Sequence, residues 1–482
     1  DESDGSSTLS TIPTSQVNID LAGLNGGGAP APGTELRPGD SVTFRLSYDL
    51  VTGDYENFKL TAYLPLPLFD LSGVDLNSIW RLATGNTNPN SPTSVTLGPG
   101  NSLVFTFADY INPGVNGSRI AIDFTLTVSD QPFADQRAFN VLGESSQTRT
   151  LDKSVLLTST DVTLIASVAE PVLNISHGVV STSHGTVTGT AGTWNAPGST
   201  GVPFGGRITD ITAVNGNVTG IDGSDRLRLA TAIENSGGGS AYDVSTRITL
   251  PPGLSFVGGN LASANLLIYR GDGTRLVAGT HYTVNNATNS ISFIDGAGVG
   301  ALLAGRPGTA ADNSGANLVV ITYDVLVAAS INASSTLQTS AELTHYASAE
   351  GGQNFVPVPL SDIAGQQVAA PTIGKSFAGG SLDNGDSSAS HTTGANLVVG
   401  ESMLYDIVVT LPEGSTQNLR IDDLIPPGLR LDTSFNGNQG YQLITTAGGL
   451  LTANFAGTVT IGTFTAPSGT LGGDGVDARF TF

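Results

Sequence analysis

The sequence predicts an all-β protein: tandem Ig-like β-sandwich modules in an elongated array, the third incomplete at its C-terminal end. Three observations lead there. One apolar-alternating pattern occurs three times at nearly constant spacing, and no segment carries a helical stripe of useful length. Gly and Pro, 62 and 24 of 482 residues, punctuate the whole chain. Strands average only five or six residues, so such a density of turn formers leaves room for many of them.

The repeat begins at a Gly-acidic turn, runs through two strands and ends at a Pro corner followed by Leu. Its first copy reads Gly39-Asp40, VTFRLSYDL, then NFKLTAYLPLPL. The second reads Gly223-Ser224-Asp225, RLRLATAIEN, then DVSTRITLPPGL, and the third Gly400-Glu401, SMLYDIVVTL, then LRIDDLIPPGL. Gly39 to Pro65, Gly223 to Pro251 and Gly400 to Pro426 span 26, 28 and 26 residues. A late strand is expected in each copy. Its apolar face is Ile120, Ile122, Phe124, Leu126 and Val128 in the first and Val319, Ile321, Tyr323, Val325 and Val327 in the second. In the third it is Val476, Ala478, Phe480 and Phe482. Period-two alternation means one buried face and one solvated face, as in sandwich strands.

Val168-Ala169-Glu170-Pro171 and Val368-Ala369-Ala370-Pro371 repeat 200 residues apart and read as module junctions. Proline has no N–H for the ladder, so it ends one module's last strand and stiffens the step to the next. The expected division is a tail or linker over 1–19, module one over 20–170, module two over 171–370 and module three over 371–482. Module two exceeds the roughly 100 residues of an Ig-like domain, with its surplus expected in 178–206 and 295–315. From Val128 to Pro171 and from Val327 to Pro371 run 43 and 44 residues, whereas the sequence stops at Phe482 inside the expected late strand. Two readings follow: these residues are a piece of a longer repeat protein, or another subunit donates the missing strand. The stretch Thr8–Leu21, alternating at Val17, Ile19 and Leu21, is the donor candidate.

Composition bounds the partners. A net charge of −22 repels nucleic acid and anionic lipid. Charged residues make up 12%, about half the usual share, so Ser, Thr, Asn and Gly supply the polar surface, as on secreted β proteins. No cysteine is present, which excludes disulfides, thiolate nucleophiles and Cys-ligated metals and favours a bacterial source. No run reaches the length of an apolar membrane span, and Asp1-Glu2-Ser3-Asp4-Gly5 is not a signal peptide.

The order junction Pro, first strand with Lys, Gly-acidic turn, YDIVVTL and LIPPGLRL resembles a bacterial surface Ig-like repeat, the domain of unknown function eleven, whose relatives include isopeptide-forming fimbrial repeats. The resemblance is best over 371–431, fair over 171–260 and weaker in module one. It implies an extracellular, cell-surface fibre or stalk protein whose partners are copies of itself or further modules. It further implies a cross-link from a strand lysine to an Asn or Asp near a module's end, assisted by a buried acid. Lys375 stands where such a lysine belongs, and Asp406 is the candidate acid. Module two has Ile175 or His177 at the matching place, and module one has no lysine near its start. The acyl partner in module three is expected beyond residue 482.

Other motifs carry less. Arg270-Gly271-Asp272 spells an integrin-binding tripeptide, but Gly-Asp-Gly between apolar strands is also a hairpin turn. Calcium is the cofactor the sequence leaves open, at Asp222 and Asp225, Asp383 and Asp386, and Asp474 and Asp477, although Asp is favoured in turns for backbone reasons. The histidines His177, His184, His281, His345 and His391 form no zinc motif, and no nucleophile elbow or phosphate loop occurs. Adjacent Asp422 and Asp423 fall on opposite faces of a strand, unlike a catalytic dyad. The expectation is a non-enzymatic structural subunit, with an adhesin for a glycan or host surface as the alternative and a glycan-active enzyme as a remote one. Trp80 and Trp194 are the aromatic platforms a glycan site would use. Five Asn-x-Ser/Thr sequons, starting at Asn116, Asn174, Asn217, Asn286 and Asn332, are near the chance yield for this composition.

Overall fold

A computed structural model describes residues 16–88, 90–113, 118–148, 156–189, 214–306, 314–382, 399, 402–432, 434–442, 458–462 and 477–481. These are nearly all β. The only α-helical turn among the described residues, Phe435–Asn438, is interrupted by non-helical dihedrals at Asn436 and Gly437. Among the described residues no helix is long and apolar enough to cross a membrane.

Modules one and two share a two-sheet plan. In one sheet the first strand (Val17–Leu24; Leu173–Thr182) pairs antiparallel with the second (Ser41–Leu50; Arg226–Asn235), which pairs with the late strand (Ser118–Thr127; Leu318–Val327). In the other, the last strand (Leu156–Val168; Leu360–Val368) pairs with the penultimate (Ala138–Thr148; Thr336–Ala347). That strand pairs with the corner strand (Gly53–Tyr63; Tyr242–Thr249), and a hairpin completes the sheet. A short strand, Glu35–Leu36 or Asn217–Ile221, lies parallel beside each last strand. The alternation in the sequence becomes the core: Val319, Ile321, Tyr323, Val325 and Val327 are all fully buried. In module one, Phe44 and Phe124 face each other across the strands, stacked at 5.3 Å between ring centres. Each such buried side chain contributes about 1.5–3 kcal/mol.

Module two's late strand is buried on both faces. Leu318 and Val320 join Val180, Val214, Ala230 and Ala232 in a satellite cluster. Part of the surplus expected at 178–206 is thus strand: Gly178–Thr182 continue the first strand and Thr186–Thr188 form another. Residues 190–213 and 307–313 lie outside the described residues.

Two expectations are corrected. Val17–Leu24 crosses the boundary placed at residue 20 and pairs with Ser41–Leu50 of its own module, so it is module one's first strand and not a donor. Ile19 is fully buried there, which a detached tail would not permit; residues 8–15 lie outside the described residues. The second correction concerns Asp477–Thr481. It pairs with Arg420–Asp423 on one side and Thr458–Gly462 on the other. Corner strand, inner hairpin strand, outer hairpin strand is the order of Gly53–Tyr63, Ser102–Thr106 and Ser94–Gly98 in module one. Asp477–Thr481 is therefore the inner hairpin strand, not the late strand. Alternation alone marks a strand's faces but not its neighbours.

Candidate functional sites at the strand lysine and the module junctions

A shared irregularity aligns the three first strands. The register to the second strand slips after Leu21 in module one, after Val179 in module two and after Phe377 in module three. Two residues before each slip stand Ile19, His177 and Lys375, paired with Leu46, Thr231 and Ile407. The equivalence has a second support: the backbone N–H groups of Ile19 and His177 donate to Asp161 and Asp362, both on the last strand. Of the two places left open in module two, His177 is the one that matches Lys375.

The position is filled three ways. In module one, Ile19 and Leu46 are apolar and fully buried. In module two, His177 is fully buried, its Nδ1 3.0 Å from Thr231 Oγ1 in its own sheet and its Nε2 3.0 Å from Thr339 Oγ1 in the facing sheet. Gln366 Nε2 donates to the same Thr339 hydroxyl at 2.9 Å, and Tyr323 stacks on the imidazole at 6.5 Å. Burial pulls the imidazole down to about 4, against a smaller opposing pull from Asp362.

In module three, Lys375 Nζ forms an ion pair with Asp423 and lies 4.6 Å from the centre of the Tyr405 ring. Asp423 stands three residues before the corner proline Pro426, as Ala62 does before Pro65 and Ile248 before Pro251. Ala62 and Ile248 are core residues, so Asp423 occupies an inward position on the opposite sheet. Asp406 does not reach the amine. It pairs with Ser376, one residue along from Lys375, so the pleat turns it to the other face, where it is exposed. The sequence holds the signal for Asp423 in its spacing from the corner proline, although pairing with Asp422 alone gives no hint of it.

Both junction prolines lie in short connections, Pro171 between Val168 and Leu173 and Pro371 between Val368 and Thr372. At the first junction the turn Gly237-Gly238-Gly239 lies directly against the linker. A Cβ on Gly237 would stand 2.1 Å from the Glu170 carbonyl oxygen and one on Gly239 2.8 Å from that of Ala169, so only glycine fits. Gly239 N–H donates to Glu170 O, Val172 N–H to Asn235 Oδ1 and Ser236 N–H to Val172 O. Asp135 Oδ1 of module one accepts from the N–H groups of Glu170 and Gly238. Arg306 of module two bridges Asp135 and Glu35 of module one, each at 3.0 Å, with only 14% of its side chain exposed.

At the second junction, Gly223 N–H donates to Glu413 O and Glu413 N–H to Asp222 Oδ2. Ala333 N–H donates to Ser415 O and Ser415 N–H to Ile331 O. The calcium candidates Asp222 and Asp225 meet here with His184, their donor atoms within 4.8 Å of one another. Asp225 is already engaged, accepting from Ser183 Oγ and from Asp222 N–H at 2.8 Å and lying 2.5 Å from His184 Nδ1. That contact holds the His184 imidazole above its usual range. Asp383, Asp386 and Asp474 lie outside the described residues, and Asp477 opens the inner hairpin strand. Arg270-Gly271-Asp272 forms a turn closed by Gly273 N–H donating to Arg270 O. Trp80 packs edge-on against Phe105 at 6.0 Å, whereas Trp194 lies outside the described residues.

Comparison with protein-family models and with curated proteins finds no match. Among solved structures, the C-terminal domain of the antigen I/II-family protein AspA of Streptococcus pyogenes is similar at 10% identity and a TM-score of 0.30, over 73% of this chain and 99% of that one. The 35 kDa C-terminal fragment of the major pilin GBS80 of Streptococcus agalactiae is similar at 9% and 0.26, over 74% and 92%. The major pilin subunit BcpA of Bacillus cereus is similar at 9% and 0.25, over 74% and 71%. Likeness this slight carries no functional conclusion for the chain.

Proposed function

We propose that the chain is a structural, non-enzymatic segment of an extracellular bacterial fibre or surface stalk. The observation that carries this reading is the first junction. A linker enclosed by glycines, hydrogen-bonded on both sides and flanked by a three-residue ion bridge makes successive sandwiches a continuous rod, as a load-bearing spacer requires. The acidic surface keeps such a rod soluble. Electron microscopy of the purified chain is expected to show stiff rods or ordered fibres of constant width. Compact or randomly bent particles would remove the architectural role.

Within module three, Lys375 is the nucleophile of an intramolecular cross-link and Asp423 its assisting acid. Once the ion pair's proton has passed from the ammonium to Asp423, the amine attacks an acyl carbon whose oxygen the carboxyl polarises, an amide bond forms, and ammonia leaves from an Asn partner or water from a carboxyl partner. Asp423 supports this because it is the inward-facing acid that meets the amine. Intact mass of a chain containing a complete module three is expected to fall short by one ammonia, or by one water for a carboxyl partner, and Lys375→Arg to show its full calculated mass. An unmodified mass in the parent chain would end the idea.

A further inference from the structure

The first junction holds a carboxyl group that the rod model does not use. Glu170 is fully buried at the linker, and neither carboxyl oxygen has a hydrogen-bond partner. A charged carboxylate left so is strongly disfavoured in a dry site. The groups that face it make matters worse. Asp135 and Asp130 of module one both add negative charge, while Tyr346 of module two offers only a neutral phenol and Ser348 a weak opposing hydroxyl. Arg306 is engaged by Asp135 and Glu35, the first of which also accepts from the N–H groups of Glu170 and Gly238. Burial first and Asp135 second push the Glu170 carboxyl up to about 8. The second junction has Ala370 in the same place of its Val-Ala-x-Pro sequence, so the feature belongs to the first junction alone.

We infer that Glu170 makes the junction between modules one and two a proton-operated hinge, seated when the carboxyl is protonated and loosened when the proton leaves. The sign follows from the environment. Undocked, the group is solvated and titrates near its ordinary 4.5; docked, it holds its proton to about 8. Docking is therefore strongest below 4.5 and weakens as pH rises from 4.5 to 8, by roughly tenfold in the equilibrium constant per pH unit. A rod of this design is stiffer in acid than in mildly alkaline surroundings, whether or not it assembles into fibres.

Hydrogen exchange on the full chain reads the opening directly, through the amides of Glu170 and Gly238, which donate across the junction to Asp135 of module one. After correction for the intrinsic exchange rate, their protection is expected to fall on the order of a hundredfold between pH 5.5 and 7.5. In Glu170→Gln it should stay flat across that range. In Asp130→Asn, with one repelling charge gone, the fall should level off at a lower pH. Protection independent of pH in the parent chain, or an equal fall in Glu170→Gln, would overturn the hinge.

Discussion

Acidification from pH 6.5 to 4 is expected to cost module two about 3 kcal/mol of stability through His177 alone. Folded, the imidazole is held neutral down to about 4, while in the unfolded chain it takes up a proton near 6.5. Between these values the unfolded state binds one more proton, so stability is fully present above 6.5, declines by about 1.4 kcal/mol per pH unit and levels off below 4. The ring resists charging in place until about pH 4, because it is buried and its nitrogens face two threonine hydroxyls rather than carboxylates. Denaturant titration of the intact chain, followed by exchange in the core peptide 319–327, checks the slope. His177→Gln keeps a neutral amide towards Thr339 and should lower stability at pH 7 while flattening the acid limb. An acid limb as steep in the variant as in the parent would place the proton uptake elsewhere.

Arg306→Ala should undock modules one and two, with a loss of about 3 kcal/mol. The substitution leaves the Asp135 and Glu35 carboxylates, 12% and 16% exposed, without the cation that bridges them. Partial exposure keeps the cost near the lower end for a buried pair. Arg306→Lys should recover only part of it, since an ammonium lacks the planar fork that reaches two carboxylates at once. Limited proteolysis within 169–172 is the readout, with the 319–327 peptide as the control for global unfolding. Linker cleavage unchanged in Arg306→Ala would mean that the glycine cradle holds the junction without the ion bridge.

These predictions draw unequally on sequence and structure. The nearly equal spacing of Pro65, Pro251 and Pro426 from their Gly-acidic turns was legible directly, because a two-strand unit that ends at a corner has a near-constant contour length. The inward faces of Ile120–Val128 and Val319–Val327 were legible as well, since side chains alternate along a strand with a period of two, but burial of the second strand's other face was not. The resemblance to the surface repeat leaves Ile175 or His177 as the lysine position in module two, and the bulge two residues further on selects His177.

What one-dimensional reading determined about this protein is its class, its repeat and the prolines between modules, all consequences of local backbone geometry and side-chain alternation. Tertiary structure alone decided that Val17–Leu24 stays in its own module, that Asp477–Thr481 is a hairpin strand, and that Asp423 rather than Asp406 meets Lys375. It also set Glu170 among acids, where the sequence shows only one polar residue beside a proline. The physical reason is common to all four. Pairing partners and cross-sheet neighbours are contacts between residues far apart in the chain, and a strand's own pattern is silent about which edge, or which facing side chain, it will meet.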